Sequence, residues 1–105
     1  MNSIYDCYRL NNGVMNPCLG FGTYRASDGD DCEVVKTAIE AGYRYFDTAS
    51  FYGNERQIGR ALAESGIARE EYFLTSKAWR TEMGYGNIRK AFMESLERLQ
   101  TDYLD

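Results

Sequence analysis

The chain contains no histidine. Nucleophile pairs that depend on a His base, and metal sites built on imidazole, cannot be assembled from its residues alone. Cysteine is sparse: Cys7, Cys18 and Cys32 are odd in number and show no C-x-x-C spacing. Reduced, structural thiols are therefore expected, with no disulfide framework and no metal site. No apolar run approaches the ~18 residues of a membrane helix. The opening Met1-Asn2-Ser3-Ile4-Tyr5-Asp6 also lacks the basic start and apolar core of a signal peptide. A cytoplasmic location away from membranes is the resulting expectation. Positive charge is scarce too, with 12 basic against 16 acidic residues and a net charge of -4. The basic residues are scattered, so no electrostatic footprint for a nucleic acid is present.

What remains has the composition of a folded protein: 44% hydrophobic and 27% charged residues, with a single proline in 105. This length accommodates one domain or less. A chain of this size buries only about two thirds of its unfolded surface, so any uncovered sheet face matters to stability.

Four short segments rich in aromatic and aliphatic residues predict strands at Cys18 to Thr23, Tyr43 to Asp47, Tyr72 to Ser76 and Tyr103 to Asp105. Three helical patterns lie between them. The first starts after the small polar and acidic residues Ser27 to Asp31, buries Val34, Val35, Ala38 and Ile39, and stops at Gly42. The second has Asn54 as a potential cap, buries Ile58, Ala61 and Leu62, and ends at Gly66. The third places Ile88, Ala91, Phe92, Ser95, Leu96 and Leu99 on one face, with Glu94 and Arg98 as an i,i+4 pair on the other. The strand markers Leu19, Tyr45, Leu74 and Leu104 are separated by 26, 29 and 30 residues. Regular strand-helix units imply parallel strands. A (β/α)8 barrel of about 250 residues spends about 31 on each unit, so the spacing corresponds to three βα units and the opening of a fourth strand. Ahead of them, Tyr8-Arg9-Leu10, Asn11-Asn12-Gly13 and Val14-Met15 read as a β-hairpin. The chain thus divides into a hairpin over residues 1–17 and βα units over 18–105, together an α/β domain that forms part of a barrel.

Parallel α/β folds collect function where strands end. The first strand runs into Gly20-Phe21-Gly22-Thr23-Tyr24-Arg25, which is no dinucleotide fingerprint, because Arg25 stands where the third Gly is needed. Close backbone packing is the preferred reading from spacing alone. The second strand runs into Asp47 and then Phe51-Tyr52-Gly53-Asn54-Glu55, the third into Lys77-Ala78-Trp79. An acid, a phenol and an amine therefore share one rim. An ammonium beside a phenol favours the phenolate, and a carboxylate holds the ammonium in place. Such a Tyr can give the proton that a developing alkoxide needs when a carbonyl is reduced. The same residues also describe a surface Tyr beside an ordinary ion pair, one Tyr among 9. Trp79 is equally readable as packing or as a pocket wall.

Gly20-Phe21-Gly22-Thr23-Tyr24, Gly42-Tyr43-Arg44-Tyr45-Phe46-Asp47-Thr48-Ala49, Tyr52-Gly53-Asn54-Glu55, Thr75-Ser76-Lys77-Ala78-Trp79 and Glu94-Ser95-Leu96-Glu97-Arg98-Leu99 closely resemble the aldo-keto reductase family, in order and at its spacing. The resemblance covers nearly the whole chain. It implies a (β/α)8 barrel, a hairpin capping the barrel's bottom, and reduction of aldehydes or ketones with NADPH, or with NADH. It further implies Tyr52 as proton donor tuned by Lys77 and Asp47, with Gly22, Thr23 and Asp47 near the nicotinamide. Tyr24, Phe51 and Trp79 would shape the pocket for a small carbonyl substrate. Tyr45 and Ala78 depart from the family's commoner His and Leu. The family's catalytic His follows the fourth strand, and its adenosine-phosphate loops lie further on, so the 105-residue chain by itself is expected to be inactive or nearly so.

Two other readings use the same residues. A non-catalytic α/β module or regulatory subunit would associate with itself or with a partner through the exposed sheet. A Schiff-base Lys77 would keep the barrel, but Asp47 would hold that amine protonated.

Overall fold

The computed structural model describes residues 1–26 and 33–105. Strands β1 (Cys7–Arg9) and β2 (Met15–Pro17) pair antiparallel. Gly13 closes their turn at φ +85°, a left-handed geometry suited to glycine, and its N–H donates to Leu10 O at 2.9 Å. Then follow β3 (Phe21–Gly22), α1 (Glu33–Glu40), β4 (Tyr45–Asp47), α2 (Glu55–Glu64), β5 (Phe73–Thr75) and α3 (Tyr85–Leu99). The expected strand-helix alternation is present, although each strand is shorter than its apolar run. The first helix's expected start at Ser27 to Asp31 lies outside the described residues.

Strands β3, β4 and β5 form a parallel sheet in that order. Register sorts its residues into two faces. Phe21, Phe46 and Leu74 align in one row, Gly22, Asp47 and Thr75 in the next. The first row turns toward the helices, where Phe46 and Leu74 join Val35, Ala38, Ile39, Ile58, Ala61, Leu62 and Leu99 in the core. The opposite face carries Tyr45 and Phe73, whose rings meet edge to face at 5.0 Å. The β1–β2 hairpin lies at the N-terminal ends of the sheet strands: Ile4, Tyr5, Val14 and Met15 share a cavity of about 450 Å3 with Arg44, Tyr72 and Phe73. The C-terminal rim of the sheet is thereby left on the other side.

Glycine stops act where the sequence places them. Gly42 and Gly66 have φ of +105° and +79° just past α1 and α2. Four expectations are corrected. Val34 is not in the core but 41% exposed, because it lies off the stripe of Val35, Ala38 and Ile39 that α1 buries. Residues Tyr103 to Asp105 form no strand, because only one backbone bond, Asp105 N–H to Leu74 O at 3.0 Å, joins them to β5. On α3, Ala91, Ser95 and Leu99 are buried but Ile88 and Phe92 are 40% and 45% exposed. That helix packs chiefly against α2, and Ile88 and Phe92 border an open cavity of about 290 Å3 with Ala78 and Leu104. Arg98 does not pair with Glu94: it turns inward to the buried Glu55, leaving Glu94 to Lys90 at 3.9 Å. Among the described residues no helix is long and apolar enough to cross a membrane.

Candidate active site

Asp47 ends β4, Lys77 lies two residues past the end of β5, and Tyr52 closes a single 3-10 turn, Ser50–Tyr52. Backbone bonds carry the pairing of β4 and β5 beyond the sheet: Thr48 N–H to Thr75 O at 2.8 Å and Ser50 N–H to Lys77 O at 3.0 Å. These bonds bring the two loops together and the three side chains with them. The Lys77 ammonium is hydrogen-bonded and ion-paired with Asp47 and donates to Thr48 O at 3.1 Å. It lies 5.5 Å from the centroid of the Tyr52 ring. Partial burial works against the charged amine, but the bond and charge of Asp47, with a smaller contribution from Tyr52, outweigh it and raise the Lys77 pKa above its ordinary 10.5. The pair is open to solvent, with 48% of the Lys77 side chain and 37% of the Asp47 side chain exposed.

Beside it, Gly22 is the register partner of Asp47, and a Cβ placed on it would meet nothing within 4 Å. Thr23 is fully buried, and both its N–H and its hydroxyl donate to Asp47 O at 3.0 Å. Asn54 does not cap α2 with its side chain. Its amide, itself only 2% exposed, reaches across to donate to Thr23 O at 2.8 Å, a carbonyl that also accepts from Ala26 N–H at 2.9 Å, because a buried amide needs a partner that water cannot supply. The other end of the amide, Asn54 Oδ1, and the Thr48 hydroxyl are buried without a protein partner.

Aromatic residues border the rim. Phe51 and Trp79 stack at 3.9 Å and 15°, joining the two loops. Tyr24 tilts against Tyr52 at 5.1 Å, with the Arg25 guanidinium 5.3 Å from the centre of the Tyr24 ring. Tyr24 and Phe51 are both more than half exposed, as walls of an open site are. Every residue singled out from the sequence therefore falls at this rim.

Sequence reasoning assigned no role to Glu55, Glu82 or Arg69. Glu55, only 1% exposed, accepts from Ser76 Oγ at 2.6 Å, Ser95 Oγ at 3.2 Å and Arg98 Nε at 2.8 Å. Its place within Tyr52-Gly53-Asn54-Glu55 was the available signal. Glu82 accepts from Ser50 Oγ and Trp79 N–H. Arg69 donates to Thr101, Tyr72, Tyr103 and Asp105, holding the last residues beside β5. Cys7 is an exposed free thiol and Cys18 a half-buried one, and Cys32 lies outside the described residues. Among the described residues no cluster of three or more His, Cys, Asp or Glu is arranged to hold a metal ion.

The Aldo/keto reductase family matches over residues 18–105. The chain is 49% identical over 104 residues to a glyoxal reductase of Bacillus subtilis, covering 98% of this chain and 38% of that protein. It is 46% identical over 106 residues to a 9,11-endoperoxide prostaglandin H2 reductase of Trypanosoma cruzi, covering 100% of this chain and 38% of that protein. The chain thus spans little more than a third of the length of these curated relatives. Among solved structures, an aldo/keto reductase from Brucella melitensis superposes with a TM-score of 0.89 at 45% identity, covering 94% of this chain and 39% of that one. A Bombyx mori aldo-keto reductase in complex with NADP superposes with a TM-score of 0.86 at 38% identity, covering 94% and 36%. Strand register, rim residues and these likenesses agree: the chain belongs to the aldo/keto reductase family.

Proposed function

We propose that the chain supplies the first three βα units of a (β/α)8 carbonyl reductase, with residues 1–17 capping the bottom of the barrel and residues 18–105 carrying the reducing rim. The single observation that carries this reading is the Asp47–Lys77 ion pair beside Tyr52, at the C-terminal ends of parallel strands. Tyr52 is the proton donor to the carbonyl oxygen of a small aldehyde or ketone. Lys77, fixed by Asp47, keeps a positive charge beside the phenol and stabilises the phenolate left behind. The open space over Gly22, next to Asp47, suits the approach of a flat ring to the backbone, so the residues present fit the nicotinamide end of NADPH. That cofactor, when bound, supplies the hydride. Thr23 and Asn54 hold the strand end rigid beneath it. Tyr24, Phe51 and Trp79 form the substrate walls. The sheet face bearing Tyr45 and Phe73 belongs inside the closed barrel, and where it is uncovered it favours self-association.

The test is a chimera in which residues 1–105 replace the matching segment of the Bacillus subtilis glyoxal reductase. The chimera should oxidise NADPH in the presence of an aldehyde, and Tyr52→Phe should lose on the order of a hundredfold or more of that rate. An active chimera indifferent to Tyr52→Phe would overturn the assignment.

A further inference from the structure

The two loops of the rim are joined by a carboxylate that takes no part in the proton transfer. Glu82 closes a 3-10 turn, Arg80–Glu82, that follows the Trp79 loop. A single oxygen, Oε1, accepts from the Ser50 hydroxyl at 2.5 Å and from the Trp79 backbone N–H at 2.8 Å. Glu82 N–H in turn donates to Trp79 O at 2.8 Å, so the turn closes on Trp79 from both sides. Ser50 opens the turn that carries Phe51 and Tyr52, and its own N–H reaches Lys77 O at 3.0 Å. Trp79 carries the indole on which Phe51 stacks at 3.9 Å. Removing Glu82 would leave the Ser50 hydroxyl and the Trp79 N–H without their shared acceptor. Bonds to a charged acceptor are stronger than neutral ones, although solvent reduces the advantage at a partly exposed site.

We propose that Glu82 is a positioning residue that locks the Ser50–Tyr52 turn to the Trp79 loop, and so sets the spacing between the substrate wall formed by Phe51 and Trp79 and the proton donor Tyr52. The wall and the donor take those names from the carbonyl-reductase reading, whereas the bridge itself stands on its own geometry. One loop supplies a hydroxyl and the other a backbone N–H, and this carboxylate accepts from both, at a point beyond the Ser50 N–H bond to Lys77 O that also joins the loops. The aromatic stack can slide, because stacking tolerates offsets that two directed hydrogen bonds to one shared oxygen do not.

Trp79 is the only tryptophan in the chain, so its fluorescence reads the bridge directly. Acrylamide quenching of Trp79 is compared in the full 105-residue chain and in Glu82→Ala, Glu82→Gln and Ser50→Ala, with far-ultraviolet circular dichroism to confirm folding. Glu82→Ala should show red-shifted emission and a severalfold rise in the population of exposed indole, the scale of a charge-assisted hydrogen bond reduced by screening. Ser50→Ala should move in the same direction. Glu82→Gln, whose amide oxygen still accepts both bonds, should recover most of the protection. Wild-type quenching in Glu82→Ala, or equal exposure in the Ala and Gln variants, overturns the proposal. If Glu82→Ala fails to fold, Ser50→Ala decides, since it removes only a hydroxyl: unchanged quenching there overturns the bridge. The measurement needs neither cofactor nor turnover. A protected Trp79 in a chimera that reduces no aldehyde would count against the reductase reading and leave the bridge standing.

Discussion

Two acid-base pairs lie on opposite sides of the same sheet, and they are built to opposite specifications. Glu55 and Arg98 join α2 to α3 beneath the helices, with the carboxylate 1% exposed and its oxygens taken by Ser76, Ser95 and Arg98. Asp47 and Lys77 sit at the open rim, more than a third exposed, beside a phenol. The buried carboxylate has both oxygens hydrogen-bonded, one to Ser76 just past β5 and the other to Ser95 and Arg98 on α3, so it serves to hold these elements in place. The exposed pair contributes little to stability but leaves polar atoms facing solvent, where a substrate can reach them. The same chemistry therefore serves structure in one place and is available for reaction in the other, and burial decides which.

The sharpest way to break this contrast is Glu55→Ala. It strands the partly buried Arg98 and two hydroxyls, and should cost about 3 kcal/mol in urea unfolding, the lower end for a broken buried pair because Arg98 keeps some solvent. A loss no larger than that of a surface pair would remove the distinction. Next comes Gly59→Ala, which probes the helix contact that the buried pair reinforces. Alanine in a helix is ordinarily the better residue by ~1 kcal/mol. Here its Cβ would land 2.6 Å from Arg98 O and Leu99 Cα, backbone atoms that cannot swing away. Overpacking should win, with a net loss of about 1 to 2 kcal/mol in the same assay.

Smaller effects test the rim. Lys77→Met should change stability by less than about 1 kcal/mol near neutral pH, since the pair it breaks is exposed. Its signature is at alkaline pH. The Lys77 pKa is raised in the fold, so its contribution is fully present below 10.5 and fades as pH climbs through the higher folded value. A pH series of thermal midpoints should therefore show a steeper alkaline decline in the wild type than in Lys77→Met. The acid limb behaves in the opposite sense. The hydrogen bond from Ser50, then that from Trp79 N–H, with a weaker attraction from Arg98, hold the Glu82 carboxyl below its ordinary 4.5. Its contribution is present above that value and is lost as pH falls through the lower folded pKa, so Glu82→Gln should flatten the acid limb by less than about 1 kcal/mol. An unchanged acid limb would mean that this carboxylate holds nothing.

Much of this architecture was legible before any coordinate. Gly42 and Gly66 marked helix ends because a left-handed residue is the least costly way to stop a helix. Asp47, Tyr52 and Lys77 could be put on one rim because they follow successive strands of a regular repeat, and parallel strands point their ends the same way. Ile88 and Phe92 were misjudged for the converse reason. An apolar stripe tells which face of a helix prefers burial, not whether a neighbour is there to bury it.

By itself the sequence determined the order of elements, the glycine stops and the residue types at the strand ends, since each follows from local periodicity and backbone freedom. Only the tertiary structure decided who pairs with whom. Arg98 could reach Glu94 on its own helix but goes to Glu55, because a buried carboxylate gains more from a partner than a solvated one does. Asn54 leaves its helix end for Thr23 O, because a polar group cut off from water needs a partner that only the fold brings within reach, and Glu82, partly exposed, meets Ser50 across 32 residues of chain because the fold sets their loops side by side.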